Sequence, residues 1–297
     1  MNDNHKEKWA KMSYIWGLVR RPGRPSDNDL KNYRDLILGS NQYKDLLILG
    51  STSEIRDMLI EMKSEGLEIN VTCVDMVSDM YEAMKNLMTH VPSDEKFVEG
   101  NWLELSKSFK TNQFDIVIGD WVSVNVGVDR DRFYSEIKKV LKSDGYFIER
   151  SGLIAPETPK IEKNVDAVLA IVKKQAKRAD VGEITKDQAW NYFISTLMMS
   201  AYYQNDKNRI DWGDSYINEI REVEKIVMKD GSDIEKYIFA KFNEVYGPTS
   251  GKYWTILTRA KQDEIYKKYF DVKDIRISND YDDIKTKESP IYLLKNK

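Results

Sequence analysis

Four short apolar runs in the first half of the chain end at residues that could contact a ligand. LLILG ends at Gly50, VTCVD ends at Asp75, KFVEG is followed by Asn101 and Trp102, and FDIVIGD ends at Asp120. A glycine lets the backbone approach a ligand closely, and the Asp75 carboxylate can accept two hydrogen bonds from the vicinal hydroxyls of a ribose. The Asn101 amide could meet an adenine edge and the Trp102 ring its plane. The set predicts a nucleoside site that lacks a glycine-rich phosphate loop.

Each of these residues also has a structural interpretation. Gly50 could form only a strand-to-helix turn, Asp75 could cap the next helix, and Trp102 could belong to the core. Asp120 could be a catalytic group that lies beside a substrate or beside the amino group of a bound donor molecule. It could also only cap the loop WVSVNVGVD. Because the residues follow successive strands in order, the ligand site is the favoured interpretation for Gly50 and Asp75. For Trp102 the two interpretations stay equally open, and for Asp120 the structural one is favoured over a direct catalytic role.

An aromatic and arginine-rich segment precedes the first strand. Tyr14 and Trp16 could cover the bound ligand as a lid, or could pack as one face of an amphipathic helix. Arg24, which Pro25 stiffens, could bind a carboxylate of cofactor or substrate through its planar guanidinium, or could belong to a solvated charge run. Trp9, Arg20 and Arg21 lie in the same segment.

Strands and helices alternate through residue 150, as parallel strands joined by crossover helices do. Runs such as LLIL and IVI are continuously apolar, which indicates strands buried on both faces. In such an open sheet the ligand lies beyond the carboxyl ends of the strands, where the strand order reverses. The strand candidates are 46–50, 69–75, 96–100, 114–120 and 145–150.

After Ser151, about 120 residues show helical periods and no convincing strand. TKDQ (185–188) and SDIE (232–235) match the capping box that begins a helix, and Gly247 is a plausible stop. The final runs 271–278 and 289–296 predict two strands that return to the sheet edge as a hairpin. The helical block is therefore predicted to be an insertion rather than a separate domain.

The predicted fold class is α/β, with a doubly wound, mostly parallel Rossmann-like sheet, a C-terminal antiparallel hairpin and a large helical insertion between strands 5 and 6. The predicted regions are a helical lid segment (1–40), the ligand-binding core (41–155), an insertion that caps the substrate (156–270) and the C-terminal strands that complete the sheet (271–297).

Composition excludes several classes of protein. The 297 residues include 46 basic and 49 acidic residues without a basic face, which argues against a nucleic-acid partner. Cys73 is the only cysteine, so internal disulfides are excluded and a reducing, cytoplasmic location is expected. No stretch has the length of a membrane span, and no Cys, His or carboxylate cluster has metal-ligand spacing. The sequence is compatible with a homodimer.

Five segments in order resemble the class I S-adenosylmethionine-dependent methyltransferases. LLILGSTSEI resembles the first motif of that family, VTCVDM the acidic second, VEGNWLEL the adenine-binding segment, FDIVIGDW the fourth-strand motif and VLKSDGYFIER the fifth-strand motif. The likeness covers about residues 9–155 and 271–296. It is closest to a bacterial branch that starts with a Trp-rich, Arg-Pro segment, here KWAKMSYIWGLVRRPGRPSDNDL.

The resemblance implies S-adenosylmethionine as cofactor and S-adenosylhomocysteine as product, with Met76 beside Asp75 in the cofactor site. The chain departs from the family's GxGxG loop, because Thr52 and Glu54 stand at its second and third glycines, and Ile48 stands at the usual acidic position. The hydroxyls of Ser51 and Thr52 could substitute, since either can reach a carboxylate or an amine.

The function expected from this likeness is methyl transfer to a small-molecule O, N or S nucleophile by in-line displacement. The sequence also leaves two alternatives, which are a methyltransferase that modifies a peptide or protein and an S-adenosylmethionine-binding protein without transferase activity. The absence of a histidine at a strand end favours an easily ionised acceptor, or a base drawn from Asp120 or a tyrosine.

Overall fold

The structure is a computed structural model, and it describes residues 16–19, 21–40, 44–92, 94–204, 207–212, 214–246, 252–281 and 287–297. Tyr14, Trp9 and Arg20 of the predicted lid segment lie outside these residues, as does the predicted helix stop at Gly247.

The strands among the described residues are β1 (Asp45–Leu49), β2 (Asn70–Asp75), β3 (Lys96–Glu99), β4 (Phe114–Asp120), β5 (Leu141–Arg150), β6 (Leu153–Ile154), β7 (Tyr203–Gln204), β8 (Arg209–Trp212), β9 (Lys252–Thr255), β10 (Phe270–Arg276), β11 (Lys287–Glu288) and β12 (Ile291–Asn296).

The helices of the same residues are α1 (Asp27–Gly39), α2 (Ser53–Ser64), α3 (Ser78–Lys85), α4 (Leu105–Ser108), α5 (Val122–Asn125), α6 (Arg130–Val140), α7 (Val165–Asp180), α8 (Lys186–Thr196), α9 (Asp214–Asp230), α10 (Asp233–Tyr246) and α11 (Arg259–Tyr269). Short 3₁₀ turns lie at Trp16–Leu18 and Trp102–Glu104, and a π-helical turn at Leu197–Ala201 follows α8.

Seven strands form one mixed sheet in the order β10-β12-β5-β4-β1-β2-β3. The five strands from β5 to β3 run parallel, and β12 pairs antiparallel with both β5 and β10. The predicted doubly wound sheet with a C-terminal antiparallel hairpin is therefore confirmed. Strand β5 begins before the predicted residue 145, because Leu141 already pairs with Phe114. The register then shifts, so that Ile116 pairs with Tyr146 and the extra residues lie in β5.

Helices cover both faces of this sheet, which explains the continuously apolar strands. On one face, Leu46 and Ile48 pack with α1 and α2 in a core that includes Tyr33 and Leu59. On the other face, α6 and α11 pack over the alternate strand residues in a second core. Cys73 is fully buried in the first core.

The region after β6 contains helices α7 to α10 around a core of their own. Both predicted capping boxes are confirmed, because Thr185 and Gln188 exchange hydrogen bonds at the start of α8, and Ser232 and Glu235 do so before α10. The expectation of no strand here was wrong, since β7, β8 and β9 form a three-stranded antiparallel sheet. Strands of two to four residues are too short to show a period of two.

The helical region is packed directly on the large sheet. Its core includes Val124 from α5 and Ile154 from β6, and half-buried Trp121 packs against it. Helix α11 belongs to the sheet instead, because Tyr266 packs in the sheet core with Tyr134 and Phe270. The carboxyl ends of β4 and β5 thus lie beneath the helices α7 to α10.

Candidate functional site

The strand order reverses between β1 and β4. From β1 the chain continues outward to β2 and β3, and it then returns to β4 on the other side of β1. Ligands of open α/β sheets bind beyond the carboxyl ends of the strands at such a point. Gly50, Asp75 and Asp120 occupy the ends of three neighbouring strands there, as the sequence predicted.

Gly50 adopts a left-handed conformation with φ of 92°, which favours glycine. Its N–H donates to the carbonyl oxygen of Val74 at 2.9 Å, and the Trp102 indole Nε1–H donates to the same oxygen at 3.0 Å. A Cβ at Gly50 would lie 3.5 Å from the Trp102 ring. The ring is therefore fixed against the Gly50 turn, and it also packs on the sheet core.

Asp75 is half-buried at the end of β2, and its carboxylate faces the Gly50 turn. Oδ2 accepts a hydrogen bond from the Ser51 hydroxyl at 3.0 Å, and Oδ1 accepts one from the backbone N–H of Met76 at 2.7 Å. Burial raises the pKa of this carboxyl to about 6, and the two hydrogen bonds oppose the rise. Both oxygens keep lone pairs for further donors.

Asn101 begins the 3₁₀ turn that carries Trp102. Its Oδ1 accepts a hydrogen bond from the backbone N–H of Leu103 at 2.9 Å, so the side-chain NH₂ is the group that it can offer to a ligand. Thr52 precedes α2 and makes no side-chain capping hydrogen bond, which leaves its hydroxyl for other partners.

Asp120 is held in a buried charge cluster. Its Oδ1 accepts from the Nε–H of Arg150 at 2.7 Å, while Nη1 of Arg150 lies 3.3 Å from Asp29 Oδ2 and donates to the carbonyl oxygen of Pro22 at 2.7 Å. Burial raises the pKa of Asp120 and the positive charge of Arg150 opposes the rise. The geometry shows Asp120 in a buried ion pair with Arg150, and its catalytic role stays a prediction.

The N-terminal 3₁₀ turn brings Trp16 to the site. Its Nε1–H lies 2.9 Å from both carboxylate oxygens of Glu54, which is in the first turn of α2. Arg24 Nη1 reaches the same carboxylate at 3.5 Å. The Trp16 ring packs with Met76 on the apolar cluster of α3. The two described lid residues of the predicted site therefore meet at Glu54, beside the Gly50 turn.

Sequence reasoning did not assign a role to Glu54 or Arg150. Glu54 stands inside the GSTSE stretch, so its position next to Gly50 was a signal that could have been used. The partners of Arg150 are Asp120, the carbonyl oxygen of Pro22 and Asp29 of α1, and this separation along the chain hides the cluster from any local pattern.

The sequence also did not indicate that Trp121 contacts both the sheet and the helical region. Trp121 follows β4 with φ of 54°, its Nε1–H donates to the Ser289 hydroxyl at 2.6 Å, and a Cβ at Gly152 would lie 2.7 Å from its ring. The ring is therefore seated on the backbone of Gly152 beneath the helices.

The arrangement fits a nucleoside that carries an amino-acid end. Asp75 can accept from ribose hydroxyls, Asn101 and Trp102 can meet a base, and the charged pair of Glu54 and Arg24 lies at the switch point. No group of three His, Cys, Asp or Glu side chains suited to a metal ion occurs among the residues that the structure describes. Across the same residues, no helix is both long and apolar enough to cross a membrane.

Comparison with protein-family models matches residues 57–148 to a family described as a methyltransferase domain. This match runs from within α2 into β5, and it includes Asp75, Asn101 and Asp120. No curated protein sequence matches the chain.

Solved structures share its fold at low sequence identity. A protein from Pyrococcus horikoshii OT3 is 14% identical, with 91% of this chain and 90% of that chain covered and a TM-score of 0.50. A protein from Rhodobacter sphaeroides, described as belonging to the Zn-dependent alcohol dehydrogenases, is 13% identical, with 100% of both chains covered and a TM-score of 0.56. A SAM-dependent methyltransferase from Methanosarcina mazei is 13% identical, with 88% of this chain and 96% of that chain covered and a TM-score of 0.47. At such identities the likeness to the first two structures shows the fold alone.

Proposed function

We propose that this chain, a class I S-adenosylmethionine-dependent methyltransferase, transfers the methyl group to a small-molecule acceptor by in-line displacement. In this proposal the acceptor binds between the carboxyl edge of the sheet and the helices of the predicted insertion, 156–270. The enzyme class and the cofactor rest on the matched methyltransferase domain, and the acceptor class rests on the packing around the site.

The residues at the carboxyl edge suit each part of the cofactor. Asp75 would hold the ribose, Asn101 and Trp102 the adenine, and the turn Gly50–Thr52 the chain between sulfur and amino-acid end. Bound S-adenosylmethionine supplies an activated methyl group on a sulfonium. The protein must therefore mainly align the acceptor and exclude water, and alignment can contribute about 7–11 kcal/mol.

Coverage of the carboxyl edge is the observation that carries the proposal. The turn Trp16–Leu18 contacts α8 of the helical region, and Val19 packs on the core of that region. On its other side the same turn is bonded through Trp16 to Glu54. Trp121 meets the helical core as well. A site enclosed from both sides suits a small acceptor better than a peptide, which needs an open groove.

The side chains at the edge favour an acceptor that ionises readily. Asp120 is engaged by Arg150, and His90, the histidine that the structure describes, contacts Asp57 on α2 rather than a strand end. A carboxylate or thiolate acceptor needs no general base, whereas a phenol or ammonium must lose a proton before or during attack. We therefore propose a carboxylate or thiol acceptor in preference to an amine.

The test is an acceptor screen that measures formation of S-adenosylhomocysteine. Small carboxylic acids and thiols form one panel, phenols and amines a second, and unstructured peptides a third. The expected result is turnover with at least one compound of the first panel and none with peptides. Turnover with peptides alone would contradict the small-molecule assignment, and cofactor binding without turnover in every panel would indicate a binding protein.

A further inference from the structure

Glu54 places a carboxylate at the switch point between β1 and β4. It lies in the first turn of α2, directly after the Gly50 turn, and its side chain is 19% exposed. Its negative charge contributes to the raised pKa of Asp120 at the end of β4. The strand residues before Gly50 offer no charge here, because Leu47, Ile48 and Leu49 are apolar and buried.

The carboxylates at the ends of β4 and β2 have different surroundings from Glu54. Asp120 is paired with Arg150 at 2.7 Å, and Asp75 accepts from Ser51 and Met76. Glu54 has a different set of partners, which are the single N–H of Trp16 shared between its two oxygens and the Ser53 hydroxyl at 3.0 Å. A carboxylate has about four lone-pair sites. Glu54 can therefore accept further hydrogen bonds without losing these two donors.

Arg24 is incompletely satisfied beside it. Its Nη1 lies at 3.5 Å from Glu54, which is the outer limit of a hydrogen bond, and its buried Nε has no hydrogen-bond partner. A guanidinium offers a planar fork of donors that matches a carboxylate. Glu54 and Arg24 thus present one acceptor and one donor group side by side, which is the complement of a zwitterion.

We propose that Glu54 and Arg24 recognise the amino-acid end of S-adenosylmethionine, with Glu54 accepting from the α-ammonium and Arg24 donating to the α-carboxylate. The assignment rests on the proposed function. It also makes Glu54 a specificity residue, because Trp16 and Arg24, its partners before α1, belong to the segment that covers the site. Ligands with the amino-acid end engage this segment, and ligands without it do not.

The experiment compares two ligands that share the adenosine and the thioether. S-adenosylhomocysteine has the amino-acid end and 5′-methylthioadenosine lacks it. Calorimetric titration of both into wild-type protein, Glu54→Gln and Arg24→Met separates the two halves of the site. We expect each variant to bind S-adenosylhomocysteine about ten- to hundredfold more weakly, as for a lost hydrogen bond to a charged group, and to bind 5′-methylthioadenosine as wild type does.

Glu61→Gln is the matched control, since Glu61 is an exposed glutamate on the same helix and its partner is His90. It should leave both affinities unchanged. Equal weakening of both ligands in Glu54→Gln and Arg24→Met would overturn the proposal, because it would mean that the pair only shapes the loop. Unchanged binding of both ligands in both variants would overturn it as well. Wild-type protein that binds neither ligand would contradict the proposed function itself.

Discussion

The carboxyl of Asp75 lies in surroundings that oppose its charge, since burial raises its pKa from 3.8 to about 6. The folded protein therefore holds this proton more tightly than the unfolded chain does. The contribution of the protonated Asp75 carboxyl to the free energy of unfolding is fully present below about pH 4, and it is lost as the pH rises through about 6. A ligand that donates hydrogen bonds to the ionised carboxylate would offset this loss.

Asp75→Asn should accordingly separate stability from binding. We compare the unfolding temperature of the ligand-free variant with that of wild type. The difference, variant minus wild type, should be more positive at about pH 8 than at about pH 4. The variant's affinity for S-adenosylhomocysteine should fall by about 1.5–3 kcal/mol. In wild-type protein that affinity should weaken as the pH falls through about 6. Thermal unfolding and titration at several pH values measure both effects, and a pH-independent difference would remove Asp75 from the site.

Arg150 should be far more important for stability than an exposed arginine. It is fully buried between Asp120 and Asp29, so Arg150→Met leaves two buried carboxylates without their partner. A loss of about 3–5 kcal/mol in the free energy of unfolding is expected, measured by urea denaturation. The control is Arg34→Met, because Arg34 pairs with Glu65 at the surface and should change stability little. Similar losses in the two variants would contradict the role given to the cluster.

Several site residues were predictable because strand ends can be read from apolar runs. Gly50, Asp75 and Asn101 lie where the pattern put them. Their partners were not predictable, because a hydrogen bond such as that from Trp16 to Glu54 depends on how the N-terminal turn packs in three dimensions. The Arg150 cluster was hidden for the same reason.

At the level of elements, the N-terminal turn is predicted to slow the release of the cofactor. Removing residues 1–19 deletes Trp16, the donor to Glu54, but keeps Pro22, whose carbonyl oxygen accepts from Arg150. We expect the truncated protein to stay folded and to release S-adenosylhomocysteine faster in stopped-flow measurements. In full-length protein, amide exchange at residues 16–19 should slow when the ligand is added. Unchanged release and exchange would leave this turn as ordinary packing.

Trp121 packs on the core of the helical region, and its ring lies against Gly152 between β5 and β6. Gly152→Ala would force the Trp121 ring away, since the new Cβ would lie 2.7 Å from it. We expect a destabilisation of about 1–3 kcal/mol, with methyl transfer reduced more than cofactor affinity. Gly39→Ala is the control, because a Cβ there meets no atom within 4 Å. Equal activity in the two variants would argue against an acceptor pocket beside Trp121.

Secondary-structure elements were predictable from the sequence where a long apolar run or a capping pattern marks them. The strands of the large sheet and the capped start of α8 follow from apolar runs and from the Thr185–Gln188 box. The small sheet of β7, β8 and β9 did not follow, because β8 pairs with β9 across a stretch that contains both α9 and α10. No local pattern reports a pairing of that separation.

For the whole molecule, the main consequence of the topology is that the helical region packs at the ends of β4 and β5, at the edge where the cofactor is proposed to bind. The helical core is continuous with Val124 and Ile154 next to the sheet. Helix α11 returns to the sheet before β10 and β12 complete it. We therefore expect a substitution in the proposed acceptor region to affect the strand ends, and a substitution at the strand ends to affect that region.

A crystal structure of the complex with S-adenosylhomocysteine tests the central claim most directly. The account predicts the ribose hydroxyls within hydrogen-bond distance of the Asp75 carboxylate and the adenine beside Asn101 and Trp102. It also predicts the amino-acid end at Glu54 and Arg24, beneath the N-terminal turn. A ligand bound away from the carboxyl ends of β1 and β2, or one whose ribose does not contact Asp75, would contradict it.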